Sequence, residues 1–417
     1  MFARTPQTAH HFEFWGPYLG PVAIICGLPL VTFFLQWYVA IFTTDGVHTN
    51  FTWVGGAVVV CCWLAGITAL HRYAPGQRGV GVKLSTGYAI PYKLNGFHCF
   101  CLVMIACIFL SFGPQPLINL GWVANNIIPA LAAMTIISIG LSIWLYASSF
   151  QGKQKLLAVG GSSGYTIYDF FIGRELNPRP FGRLFDLKHF CELYPGMIGW
   201  AILDLAIMHR QWTSEGIISL PMALTCLFQI WYVADALWFE PAILTTMDIT
   251  TEGFGFMLAF GDLVWVPFTY CLQPLYILHH PQELSIGGAA GIVALKLVGY
   301  ALFRGSNSQK NQFRQDPKHP LVAGLQTLPT KRGTRLIISG WWGLVRHPNY
   351  LGDWLMAWAW CLPCGFNSII PYFYVIYFGI LLVHRDGRDE QACQQKYGAD
   401  WGKYCSIIKW RLVPFVY

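Results

Sequence analysis

Two polar stretches in the last third of the chain hold the residues best suited to chemistry. In 304–350, Lys310, Arg314 and Lys318 are spaced by four, so on a helix they share a cationic face suited to phosphates. Lys331, Arg332, Arg335 and Arg346 follow, and Arg346 lies within the run Gly340-Trp341-Trp342-Gly343-Leu344-Val345-Arg346-His347-Pro348-Asn349-Tyr350-Leu351-Gly352-Asp353. Such a run offers ring stacking, positive charge and amide recognition together. In 384–417, His384-Arg385-Asp386-Gly387-Arg388-Asp389-Glu390 precedes Cys393, Lys396, Tyr397, Gly398, Trp401 and Tyr404. Membrane topology and an interfacial aromatic belt account for the Lys, Arg, Trp and Tyr without any ligand. They do not account for Asn349, or for Asp389 and Glu390 amid cations. A large anionic cofactor with a polar amide head accounts for both.

A further set of acids, Asp204, Asp235, Glu240, Asp248, Glu252 and Asp262, falls in or beside apolar runs, where a carboxylate is costly and marks a cavity or a functional site. Each also has a structural explanation, as a helix cap or a hydrogen bond between helices. Glu240 and Asp248 lean towards function, because their segment lacks Lys and Arg. Several familiar motifs are missing: there is no GxGxxG, no GxxxxGK[ST] and no HExxH. Gly160-Gly161-Ser162-Ser163-Gly164 has the GxSxG form, but it follows an apolar run without the strand and helix of a nucleophile elbow. Cys361-Leu362-Pro363-Cys364 lacks the two further ligands of a zinc site, so no metal is expected.

The elements that position these residues are membrane helices. The chain has 417 residues, 55% hydrophobic and 11% charged, with a mean hydropathy of +0.45, far from a soluble domain. Apolar runs at 17–42, 51–70, 97–113, 127–150, 194–208, 217–239, 255–279, 285–303, 351–365 and 368–383 predict about ten spans. Between Arg304 and Arg346 there are eight Lys or Arg against one acid, Asp316, while 43–50 and 114–126 carry no Lys or Arg. That asymmetry predicts an even count with both termini cytoplasmic. Met1 to Gly16, with His10, His11 and Glu13, does not read as a cleavable signal. The 13 cysteines, odd in number and mostly inside apolar runs, read as reduced. The net charge of +7 is too scattered for nucleic acid. The expected fold is an all-α integral membrane protein forming a single domain over 1–417. Residues 1–303 supply helices one to eight, and 304–417 form a cytoplasm-facing nucleotide-binding region around the last hairpin.

Two stretches resemble the signatures of the sterol reductase family, which includes the C14, C7 and C24(28) reductases and the membrane domain of the lamin B receptor. They are Gly164-Tyr165-Thr166-Ile167-Tyr168-Asp169-Phe170-Phe171-Ile172-Gly173-Arg174-Glu175-Leu176-Asn177-Pro178-Arg179 and Leu382-Val383-His384-Arg385-Asp386-Gly387-Arg388-Asp389-Glu390-Gln391-Ala392-Cys393-Gln394-Gln395-Lys396-Tyr397-Gly398. The likeness runs from about Trp15 to the C-terminus and takes in 244–249 and 260–268. Arg346 to Asp353 resembles the C14 branch more than the C7 branch.

The resemblance implies NADPH as cofactor and a sterol that enters from the bilayer. Lys310 and Arg314 would meet phosphates, including the 2′-phosphate. Trp342, Asn349 and Tyr350 would hold the nicotinamide half. Ile337, Arg385, Arg388, Asp389, Cys393, Gln394, Gln395, Lys396, Tyr397 and Tyr404 would line the rest. Reducing an unactivated C14=C15 bond needs a proton as well as a hydride, and Glu240, Asp248 and Tyr350 are the candidates for its donor or relay. Sterol C7 reduction, S-adenosylmethionine-dependent methyl transfer and non-catalytic sterol binding are the alternatives. The likeness and the residues fit a bacterial inner membrane or endoplasmic reticulum, and no obligate protein partner is evident.

Overall fold

A computed structural model describes residues 12, 14–41, 51–83, 87, 89–113, 115–151 and 155–417. His10, His11 and Glu13, on which the signal-peptide reading rests, and loop 43–50 lie outside the described residues. The described chain is mostly helical, with two short two-stranded antiparallel sheets that the sequence reading did not anticipate. It divides into two compact units, Met1–Pro281 and Gln282–Tyr417, so the eighth apolar run belongs with the second unit.

In the first unit, Leu187–Glu215 and Phe256–His279 have most of their residues buried. Leu19–Ile41, Trp53–Tyr73 and Ile127–Ser148 expose large apolar side chains such as Leu30, Val54 and Ile136, a surface suited to lipid tails. Leu187–Glu215 starts seven positions before the apolar run expected at 194, because Lys188, His189 and Glu192 interrupt the hydropathy although the backbone is helical. Its Glu192–Ile198 turn is π-helical around Pro195, whose ring removes a backbone donor. A second π turn, Gly261–Trp265, sits beside it, and a Cβ on Gly196 would stand 2.4 Å from the Asp262 carbonyl oxygen. Gly216, at φ +74°, ends the helix in the left-handed region. Ser219 caps the next helix, Leu220–Trp238, by accepting from Met222 N–H at 3.4 Å. Gln77–Lys83 pairs with Ala89–Leu94 in the register Gln77 to Leu94 and Arg78 to Lys93.

The second unit is built on Ile286–Gln315, one continuous helix of 30 residues capped by Ser285. At 1.5 Å per residue it is ~45 Å long, more than a ~30 Å hydrocarbon core needs, so its polar end, with Lys310 and Arg314, reaches past the apolar part. It packs on Pro348–Cys361 through two glycines: a Cβ on Gly299 would lie 2.8 Å from the Gly352 carbonyl oxygen, and one on Gly352 would lie 2.5 Å from Phe303 N. Pro363, Gly365 at φ +67° and Pro371 make the turn into Phe373–Tyr397, and Gly398 at φ +55° separates that helix from Ala399–Ile407. Thr327–Pro329 and Arg335–Ile337 form a short hairpin.

Seven helices among the described residues are long and apolar enough to cross a membrane, against about ten expected. The runs at 97–113, 351–365 and 368–383 make the difference. Gly96–Phe112 has 17 residues and Pro348–Cys361 has 14, while Phe373–Tyr397 becomes polar from His384 onward. The fold is that of an all-α integral membrane protein.

Candidate functional site

A cavity of about 790 Å³ opens within the second unit. Several elements of that unit's polar half contribute. The end of the Ile286–Gln315 helix supplies Lys310, Phe313 and Arg314, and the hairpin supplies Gly333 to Ile337. Trp342, Arg346, His347, Asn349 and Tyr350 come from the turn entering Pro348–Cys361. Asp389, Ala392, Cys393, Lys396 and Tyr397 come from one face of Phe373–Tyr397, and Trp401 and Tyr404 from the helix after it.

Each wall is held for a stated reason. Lys310 Nζ lies 4.1 Å from the centre of the Trp342 ring, whose indole N–H donates to the Ser306 carbonyl at 2.9 Å. Tyr397 and Trp401 stack at 6.3 Å and 22°, and Trp401 and Tyr404 at 4.8 Å and 23°, giving a flat aromatic wall. The Tyr350 hydroxyl donates to Asp389 Oδ2 at 2.8 Å, and burial, with Asp389 beside it, pushes the phenol well above the usual tyrosine range. Arg346 donates to Glu390 Oε2 at 3.1 Å and to the Ile408 carbonyl at 2.9 Å, while Trp401 donates to Glu390 Oε1 at 2.9 Å. The hairpin is tied down where Lys331 N–H donates to Asp400 Oδ2 at 2.8 Å, a bond that holds the Asp400 carboxyl below its usual range. The Asn349 carbonyl oxygen is buried without a hydrogen-bond partner, an unmet acceptor on a residue that borders the cavity. Cationic groups, flat rings and an unsatisfied amide together suit a ligand that carries phosphates, a planar ring and an amide.

Of the residues singled out in the sequence, Lys310, Arg314, Ile337, Trp342, Asn349, Tyr350, Asp389, Cys393, Lys396, Tyr397 and Tyr404 all border this cavity. Arg385, Arg388, Gln394 and Gln395 do not. Positions 389, 393 and 396 repeat at helical spacing on one face, which turns the exposed Gln394 and Gln395 away. Phe313, Pro317, Gly333, Thr334, Arg335, Leu336, Arg346, His347, Ala392 and Trp401 also border the cavity and were not assigned to it from the sequence. The helical repeat could have found Phe313 and Ala392; nothing local marks the hairpin residues.

Glu240 and Asp248 belong to the first unit. Glu240 is buried at the start of Gly96–Phe112, where Oε2 accepts from Gly96 N–H at 2.8 Å, a helix-terminal position that favours an anion. Its Oε1 lies 2.8 Å from the Tyr194 hydroxyl and 3.4 Å from His189 Nε2. Tyr194 also reaches Asn95 Oδ1 at 2.8 Å, which His71 Nδ1 meets at 2.9 Å. The Asp248 carbonyl accepts from the buried Lys188 ammonium, which also donates to the Glu252 carbonyl at 2.7 Å. Nearby, Gly173 at φ +93° crosses Gly253 and Gly255 so closely that a Cβ on it would stand 2.3 Å from Gly255 N. Ser163 of the GxSxG run donates from N–H and hydroxyl to Asp169 Oδ1, at 2.8 and 2.7 Å, as a loop brace rather than a nucleophile.

Residues 16–417 match the Ergosterol biosynthesis ERG4/ERG24 family. Among similar proteins, Delta(14)-sterol reductase TM7SF2 of Mus musculus is 49% identical over 85% of this chain and 84% of its own length. Delta(14)-sterol reductase erg24 of Schizosaccharomyces pombe is 43% identical over 97% of both chains. Delta(14)-sterol reductase LBR of Gallus gallus is 50% identical over 79% of this chain and 51% of its own length. With the match spanning both signatures and every wall of the cavity, the chain belongs to the ERG4/ERG24 family of sterol reductases.

Proposed function

We propose that this chain reduces the C14=C15 double bond of a sterol biosynthetic intermediate and draws its reducing equivalents from NADPH. The names of the mouse and fission-yeast relatives support the bond, and the make-up of the cavity supports the cofactor. The single observation that carries the cofactor is the unmet Asn349 acceptor in a cavity that also offers Lys310 and Arg314. Lys310 and Arg314 would hold phosphates, the 2′-phosphate among them. Trp342, Asn349 and Tyr350 would hold the nicotinamide half, with the Asn349 oxygen taking a carboxamide N–H. Ile337, Asp389, Cys393, Lys396, Tyr397 and Tyr404 would line the remainder, with Arg385, Arg388, Gln394 and Gln395 as outer contacts.

When bound, NADPH supplies the hydride. The protein supplies position and a proton. Tyr350 alone of the three proposed donors borders the cavity, and a phenol is protonated at neutral pH, the state a general acid requires. Asp389 holds that hydroxyl in place, and the phenolate left by proton transfer would regain its proton from solvent before the next turnover. Glu240 and Asp248 remain proposed partners for the sterol side. We place both termini on the cytoplasmic side, in endoplasmic reticulum or a bacterial inner membrane, on the strength of the cation-rich segment 304–346.

The test is turnover by purified protein in detergent of a Δ8,14-sterol with NADPH, beside a Δ7-sterol and an NADH control. Loss of the 14-ene with NADPH alone is the expected result. Consumption of the Δ7-sterol only would move the reading to C7 reduction, and no turnover of either with NADPH bound would move it to sterol binding.

A further inference from the structure

We propose that His347, fixed by Asp386 and the 408–417 segment, is a positioning residue for Tyr350. The proposal rests on the reading of the cavity as the reaction site. The His347 imidazole lies parallel to the Tyr350 ring, with 7° between their planes and 4.7 Å between their centres. Tyr350 itself has one side-chain hydrogen bond, from its hydroxyl to Asp389. With Cβ held by the backbone and the hydroxyl by Asp389, the ring still turns about the axis between them, so the flat contact with His347 sets the plane in which the hydroxyl is presented to the cavity.

His347, in contrast, is held from several directions. Its Nε2 lies 3.0 Å from Asp386 Oδ1, and the Asp386 side chain is 0% exposed. The other oxygen of Asp386 accepts from Arg411 Nε at 2.6 Å and from the Tyr417 hydroxyl at 3.2 Å. The backbone N–H groups of Arg346 and His347 donate to the Trp410 and Arg411 carbonyls at 2.9 and 3.0 Å. Burial opposes the Asp386 charge, yet His347 and Arg411 hold its carboxyl below the usual range. A buried carboxylate with three partners is an expensive way to gain stability, since apolar residues of equal volume serve as well. What such a cluster supplies is a fixed direction for the imidazole.

Helical spacing makes the device compact. Asp386, Asp389 and Glu390 follow one another at i, i+3 and i+4 on one helix and engage His347, Tyr350 and Arg346 in turn. One face of Phe373–Tyr397 therefore aligns the whole Arg346 to Tyr350 turn. A displacement of ~1 Å in a reacting group costs ~100-fold in rate, so loosening this face acts on kcat before it acts on binding.

The experiment uses the full chain in detergent with a Δ8,14-sterol and NADPH. His347→Ala is expected to lower kcat ~100-fold while NADPH affinity, read from quenching of tryptophan fluorescence, stays within about threefold. His347→Phe keeps the flat face and is expected to recover most of that loss. In a Tyr350→Phe background the same His347→Ala change is expected to cost nothing further, because it acts through a hydroxyl already removed. With 3-fluorotyrosine at position 350, the ¹⁹F resonance is expected to broaden or split in His347→Ala, a readout independent of turnover. Equal losses in both backgrounds, an unchanged ¹⁹F line, or a fully active His347→Ala would overturn the proposal. Wild-type turnover by Tyr350→Phe alone would instead remove the reading of the site on which it rests.

Discussion

The two units spend the same residue types differently. In the first, Glu240, Tyr194, Asn95 and His71 are buried and bonded to one another, and Lys188 is buried against backbone carbonyls. In the second, Lys310, Asn349, Tyr350 and Asp389 border a cavity, and the Asn349 oxygen has no partner. Polar groups satisfied inside the protein tie elements together, whereas polar groups gathered around a cavity are placed to meet a ligand. Substitutions in the first unit should therefore register as lost stability, and those in the second as lost binding or turnover in a protein that still folds.

The largest effect tests the first unit. Gly173→Val sets a branched side chain at a positive φ against the backbone of Gly253 and Gly255, and a loss of more than ~4 kcal/mol is expected, read as failure to elute as a single species in detergent. Glu240→Ala strands Gly96 N–H in the interior and leaves Tyr194 with Asn95 alone, and a stability loss of about 1–3 kcal/mol in a thermal melt is expected. A stable but inactive Glu240→Ala would break the contrast and favour Glu240 as the proton donor.

In the second unit, Asn349→Asp places a negative charge where an anionic ligand is proposed to bind. NADPH affinity should fall by at least ~10-fold, about 1.4 kcal/mol, with the melting temperature unchanged. The smallest effect concerns pH. Asp386 has its folded-state carboxyl held below the ordinary value of 3.8. Its contribution is thus present above about pH 4 and lost as pH falls through its lower folded value. The acid-unfolding midpoint of wild type should shift when Asp386→Asn removes the titrating group, and the two proteins should converge at the acid end. An identical acid profile for both would show that Asp386 does not hold the 408–417 segment.

Particular residues show how far the sequence reached. The spacing of Lys310 and Arg314, and the runs containing Asn349, Tyr350, Asp389 and Tyr397, marked most of one cavity, because ligands with phosphates and rings demand unusual residue types. The same stretch includes Gln394 and Gln395, which are exposed and do not border the cavity. The sequence reading named Arg335 as a cation but passed over Gly333, Thr334 and Leu336, since residues that meet a cavity through the bend of a hairpin leave no local mark. The apolar run read at 351–365 overlaps a helix that begins at Pro348 and ends at Cys361, because hydropathy records composition and not where a helix starts or stops.

What the sequence determined by itself was the solvent and the chemistry: runs of apolar residues that only lipid can accommodate, and a cationic, aromatic, amide-bearing segment near the end. What the tertiary structure decided was which polar groups are spent on one another and which are gathered around a cavity. Glu240 and Asp389 are both acids beside membrane helices, and although Asp389 has cationic neighbours and Glu240 has none, that difference does not say which of them meets a cavity. The separation comes from partners distant along the chain, Gly96 and Tyr194 for Glu240, and Tyr350 for Asp389 at the wall of a cavity. A hydrogen bond is fixed by distance and direction in space, and those exist only once the helices have packed.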